Sequence, residues 1–218
     1  IGLSVAKTDS AGLAYVSNLP DVRCSYYAKL PGYAQHGGCA GTKMELSPGA
    51  NVSGRVIDPS GNGVAGAKVK FMADWMHMGF MAETDERGNF KLEDLPAKGW
   101  DMSPWGAEAD ASGIYKVTLH SSEVVAEGSK VTLEQGQILS DMIIPAQPGV
   151  LVNCKVIDTS TKLPLSGARL WGENAMGRID GYSGSEGVFN VRVLPGALKL
   201  FFQSPPDGVE IDSSQSHR

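Results

Sequence analysis

Short alternations of apolar and polar residues run through the chain. Val52, Gly54 and Val56 alternate with Ser53 and Arg55, and Phe90 and Leu92 alternate with Lys91 and Glu93. A period of two sends successive side chains to opposite faces, so each run predicts a strand with one apolar and one wet face. Turn residues stand between the runs. In Asp58-Pro59-Ser60-Gly61-Asn62-Gly63 the Pro fixes φ, while Gly and Asn accept positive φ. Asp85 and Gly88 suit a tight hairpin, the carboxylate bonding turn N–H groups and the Gly taking the left-handed position. Gly and Pro number 27 and 12, and the longest stretches free of both are 14 residues, 114–127 and 150–163. Long helices are nearly excluded, and short strands joined by turns are predicted.

One unit recurs. The chain reads Thr84-Asp85-Glu86-Arg87-Gly88-Asn89-Phe90 and then Leu95-Pro96; earlier it reads Thr8-Asp9-Ser10-Ala11-Gly12 and then Leu19-Pro20. Later it reads Ser183-Gly184-Ser185-Glu186-Gly187-Val188-Phe189 and then Leu194-Pro195. Each time a hydroxyl residue stands four before the Gly, and Leu-Pro follows seven after it. A second signature precedes two of the copies. Pro48-Gly49 leads into Val52-Ser53-Gly54-Arg55-Val56-Ile57-Asp58, and Pro148-Gly149 leads into Val152-Asn153-Cys154-Lys155-Val156-Ile157-Asp158. Gly66-Ala67 and Gly167-Ala168 follow. The copies are unequal: Leu-Pro to the next Pro-Gly takes 28 positions from Pro20 to Pro48 but 52 from Pro96 to Pro148.

This register divides the chain into three. Residues 1–47 are expected to be the C-terminal part of a first β-sandwich repeat whose front strands are missing. Residues 48–147 read as a complete repeat with an insertion at about 97–126, and 148–218 as a third repeat, short at most of its last strand. The chain starts Ile-Gly-Leu-Ser without an initiator Met, so a processed product or a segment of a larger protein is expected. The connectors Ser47-Pro48-Gly49 and Gln147-Pro148-Gly149 are too short for free tumbling.

The pattern V-x-G-x-V-x-D, G-A-x-V, T-D-x-x-G-x-F and L-P, as it stands from Val52 to Pro96, resembles the carboxypeptidase regulatory-like, or transthyretin-like, domain family. The resemblance covers most of the chain. It implies an all-β protein of tandem Greek-key sandwiches, prealbumin- or Ig-like, usually extracytoplasmic (periplasmic, cell-surface or secreted) and bacterial here. Such modules accompany catalytic or receptor domains without doing chemistry themselves, so the partners it implies are flanking domains of a larger polypeptide or another protein chain. Fold alone does not fix function.

Catalytic readings lack their residues. A zinc carboxypeptidase site needs two His and a Glu, and His36, His77, His120 and His217 stand in no such arrangement. Val52 to Phe90 also resembles, in places, the core of intradiol ring-cleaving dioxygenases, which hold ferric iron with two Tyr and two His. Phe80 follows Gly79 where that family places a ligand Tyr, and no H-x-H follows Pro96. No G-x-S-x-G elbow or P-loop lysine occurs. A non-catalytic module without cofactor is expected. Its net charge of -5 argues against a nucleic-acid partner, and no apolar run is long enough to span a membrane.

Local chemistry offers three candidates. Met72, Met76, His77 and Met78 crowd one segment and are soft enough for Cu(I), although methionine more often fills irregular cores. Trp75, Trp100 and Trp105 could form a platform for a glycan or a contact for a partner, the last two lying on the expected insertion. Cys24 and Cys39 enclose a short loop and could pair in an oxidising compartment; two separate thiols is the other reading. Cys154 falls on the inward phase with Val152 and Val156, as a small apolar filler.

Overall fold

The computed structural model describes residues 6–15, 25–39, 45–73, 79–100, 111–158 and 160–204. Every regular element among them is a strand. In chain order, β1 (Ser25–Ala28) and β2 (His36–Cys39) come first. Then follow β3 (Ala50–Ile57), β4 (Lys68–Ala73), β5 (Gly79–Glu83), β6 (Asn89–Leu95) and β7 (Ile114–His120). Next are β8 (Val124–Ala126), β9 (Ser129–Thr132), β10 (Ile138–Pro148) and β11 (Val150–Lys155). The last four are β12 (Arg169–Asn174), β13 (Gly177–Tyr182), β14 (Val188–Val193) and β15 (Lys199–Ser204).

Two four-stranded sheets, ordered β6-β3-β10-β8 and β5-β4-β7-β9, close a central sandwich. The alternation sends Val52, Val56, Phe90 and Ile144 inward from the first sheet and Val69, Phe71, Tyr115 and Leu119 from the second, all into one buried cluster. Beyond it, β11-β14 and β13-β12-β15 enclose a smaller core of Leu170, Ile179, Phe189 and Val193. β1 and β2 form an antiparallel hairpin on the other side. Gly49 N donates to Gly32 O at 3.0 Å and Gly32 N to Asp94 Oδ1 at 3.0 Å, tying the hairpin's turn to the end of β6.

The pairings of the second group repeat those of the first. β3–β6, β4–β5 and β4–β7 have counterparts in β11–β14, β12–β13 and β12–β15, all antiparallel. The signature residues explain themselves here. Thr84 Oγ1 donates to Val64 O at 2.7 Å and accepts from Ala67 N at 2.9 Å. Ser183 Oγ does the same with Leu165 O at 2.6 Å and Ala168 N at 3.0 Å. Both hydroxyls are buried, and each serves one backbone donor and one backbone acceptor. That is why a hydroxyl residue and a Gly-Ala pair travel together in the sequence.

Residues 97–126, expected as an insertion, contain β7, and this changes the picture. Tyr115, Val117 and Leu119 are at most 2% exposed and fill the central core. β7 pairs with β4 as β15 pairs with β12, so it belongs to the shared strand pattern.

The Asp-led turns are held by their own carboxylates. Asp58 Oδ1 accepts from Ser60 N and Asn62 N, and Asp85 Oδ1 from Arg87 N and Asn89 N, at 2.8–2.9 Å. At Asp158 the Ser160 hydroxyl and the Ser160 and Thr161 N–H groups favour the ionised carboxylate and hold its pKa at about 2. The folded value lies below the ordinary 3.8, so this turn's contribution is complete above that pH and is lost as pH falls through about 2. A carboxyl-detected NMR titration should place the Asp158 midpoint near 2. Ser160→Ala should move it upward, and a wild-type midpoint at the ordinary value would contradict the geometry.

Candidate functional site

Several residues singled out in the sequence fall outside the described residues: Cys24, Trp75, Met76, His77, Met78 and Trp105. Cys39 lies in β2, and its side chain is likewise outside them. Met72 is half-buried on β4, with its sulfur 2.6 Å from where a Cβ on Gly79 would stand, so it covers its neighbouring strand. Among the described residues, no three His, Cys, Asp or Glu gather as metal ligands.

Trp100 is only 1% exposed. Its ring lies 5.3 Å from that of His36, which is equally buried, so it packs under the β1–β2 hairpin. A stacking platform needs an open ring face, and Trp100 has none. Trp100 packs against the β1–β2 hairpin through this ring contact.

The junction between the central sandwich and the next one is closely packed. β10 runs into β11 with only Gly149 between them. Arg192 Nη1 donates to Gly149 O at 2.7 Å, and a Cβ on Gly149 would stand 2.5 Å from Arg192 Cγ. A side chain there would have to displace the Arg192 stem. Val125 on β8 is 1% exposed and belongs to the core of the following sandwich, not to its own. Gly128 N donates to Ala175 O at 3.0 Å across the same seam. A cavity of about 230 Å³ remains, bounded by Leu119, His120 and Val125 on one side and by Met176, Ile179 and Arg192 on the other. Desolvation, helped by Lys70, lowers the pKa of His120, so this wall of the cavity favours the neutral imidazole.

A second feature lies on the outer face of β13-β12-β15. Trp171 stacks on Phe201 with ring centroids 4.3 Å apart, and the Arg178 guanidinium sits 5.1 Å above Trp171. Arg169 lies 5.9 Å from the Tyr182 ring and pairs with Asp180 at 2.9 Å. Hydrogen bonding to Arg169 lowers the pKa of Asp180 and raises that of Arg169. The rings stand across neighbouring strands and occupy one another's faces, which makes a cross-strand ladder rather than a flat platform. Trp171 is not among the candidates that the sequence suggests. Its alternation with Leu170 and Gly172 was the available signal, since Leu170 faces the core.

No helix long and apolar enough to cross a membrane occurs among the described residues. No family model matches the chain, and no curated protein matches it in sequence. Among solved structures, a streptococcal ancillary pilin aligns over 91% of this chain and 70% of its own, at 14% identity and a TM-score of 0.34. The shaft pilin SpaA from Lactobacillus rhamnosus GG aligns over 73% of this chain and 89% of its own, at 12% identity and a TM-score of 0.34. A DUF3823 family protein from Parabacteroides merdae aligns over 67% and 81%, at 13% identity and a TM-score of 0.33. At these TM-scores the likenesses assign no function, and the all-β fold rests on the strand pairings themselves.

Proposed function

We propose that the chain is a non-catalytic run of tandem transthyretin-like β-sandwiches, a spacer and interaction module within a larger extracytoplasmic protein. The observation that carries this reading is the junction. One nearly continuous strand crosses from β10 to β11, and Val125 of the central sandwich is planted in the core of its neighbour. Units coupled in this way hold a fixed angle, as a spacer must, whereas a flexible linker would let them tumble. The exposed ladder around Trp171 is the face offered to flanking domains or a partner chain.

Val125→Ala tests the coupling. Removing two buried methyl groups should cost about 1–2 kcal/mol and lower the melting transition of the C-terminal sandwich alone. Small-angle scattering should then report a wider spread of interdomain angles. A lowered transition of the central sandwich with unchanged scattering would count against a rigid junction.

A further inference from the structure

Lysines gather on the outer face of the sheet β5-β4-β7-β9. Strand alternation turns Val69, Phe71, Tyr115, Val117 and Val131 toward the core, so Lys68 and Lys70 on β4, Lys116 on β7 and Lys130 on β9 face outward. Lys68, Lys116 and Lys130 are exposed, and Lys70 is half-buried. On the four strands of this face the one outward acidic residue is Glu83, opposite Lys68 at the β5 edge. None of the four lysines forms an ion pair with a described carboxylate. Lys116 and Lys130 are direct cross-strand partners, an arrangement in which like charges repel. Lys70 also acts on a neighbour, helping to lower the pKa of His120. In a chain of net charge -5, this face is cationic against the balance of its own molecule.

The pairing register sets the lysines in a row. Lys68 and Lys70 are two residues apart on one strand, about 6.8 Å along it. Lys70 is paired with Thr118, so Lys116 is its diagonal neighbour at about 7–8 Å. Lys130 stands beside Lys116 at about 5 Å. The row therefore crosses three strands obliquely and is about 20 Å long. The β12–β13 turn borders it, since a Cβ on Gly177 would lie 3.5 Å from Thr118 Cγ2.

We propose that this face binds an extended acidic segment of a partner protein, with Asp or Glu at every second residue. An extended chain sends alternate side chains to one side at intervals of about 6.8 Å, so acidic residues at i, i+2, i+4 and i+6 span about 20 Å and meet the four ammonium groups in turn. Other polyanions match less well. Single-stranded nucleic acid and sugars are held by ring stacking, and the described residues of this face include no Trp, Tyr or Phe. Lysine ammonium groups are point charges without the planar fork that grips a phosphate in two places. The inference is independent of the spacer reading, because it uses only one face of one sheet.

The experiment titrates the 218-residue chain, followed by NMR, with a synthetic heptapeptide in which four Glu alternate with three Ser. Amides around Lys68, Lys70, Lys116 and Lys130 should shift, and the affinity should fall steeply as salt rises through about 0.15 M. A peptide of the same composition with its four Glu contiguous should bind about fivefold more weakly, because half of its carboxylates face away. The double variant Lys70→Gln with Lys116→Gln should lose about as much, with its melting temperature not lowered. Lys91→Gln with Lys98→Gln removes lysines already paired with Glu93 and Glu134, and should leave the affinity unchanged. No binding, equal binding of the two peptides, or equal loss in the two double variants overturns the proposal. So does tighter binding, at equal charge, of polygalacturonate or of phosphatidylglycerol vesicles, which would make the partner a glycan or a membrane. Carbodiimide coupling of these lysines to acidic residues of 101–110 or 205–218 in the free chain overturns it too, because the face would then be filled from within.

Discussion

Gly88→Ala should cost the central sandwich about 3 kcal/mol, a large share of the roughly 5–15 kcal/mol by which a folded domain is stable. Two separate effects add. Gly88 sits at φ 81°, where an L side chain is strained by about 1–2 kcal/mol. The new Cβ would also stand 2.5 Å from Val56 O and 2.8 Å from both Gly63 Cα and Val64 N. All of these are backbone atoms, and none can rotate away. They are also bonded to one another, with Val56 N donating to Gly88 O at 2.8 Å and Val64 N to Val56 O at 3.0 Å. The hairpin tip would have to lift off the neighbouring turn and break that set. Gly61→Ala is the control, because Gly61 has φ 84° but nothing within 4 Å, so it should show the backbone strain alone. Chemical denaturation of both variants measures the difference. Equal losses would mean that the close approach does not matter.

The same comparison shows what the sequence could convey. The Thr/Ser-to-Gly spacing was legible because the turn it specifies is local. Gly12, Gly88 and Gly187 all take positive φ, and each N–H donates to the carbonyl three residues earlier. Short strands, their inward phase and their ends at Leu-Pro were legible for the same reason. Features made by distant chain segments were not. Trp100 reads as a loop aromatic until the hairpin bearing His36, more than sixty positions earlier, is laid over it. β7 looked like part of an insertion because nothing near Tyr115 announces that β4 pairs with it across the sheet. Val125 looks like an ordinary strand residue, yet it belongs to a core built from residues after 150. The ladder of Arg178, Trp171 and Phe201 draws on three strands, and no single window of sequence contains it. Local geometry survives in one dimension, and contact between separated segments does not.

The hydroxyl signature yields the second large effect. Thr84→Val keeps the shape and removes the one oxygen serving two backbone groups. Ala67 N–H loses its acceptor and Val64 C=O its donor, at a site where Thr84 is 5% exposed. Each buried polar group left unmatched costs about 1–3 kcal/mol, so the pair should cost roughly 2–4 kcal/mol, partly offset by the added methyl packing. Thr84→Ser keeps the oxygen and should lose only the methyl contact, about 1 kcal/mol or less. Ser183 makes the same two bonds in the following sandwich, so Ser183→Ala should lower that unit's transition while leaving the central one in place. The order of loss, valine well beyond serine at position 84, separates hydrogen bonding from packing. Were Thr84→Ser as damaging as Thr84→Val, packing of the Thr84 methyl would matter as much as the two hydrogen bonds. The recurrence of Thr or Ser four residues before glycine would then need another cause.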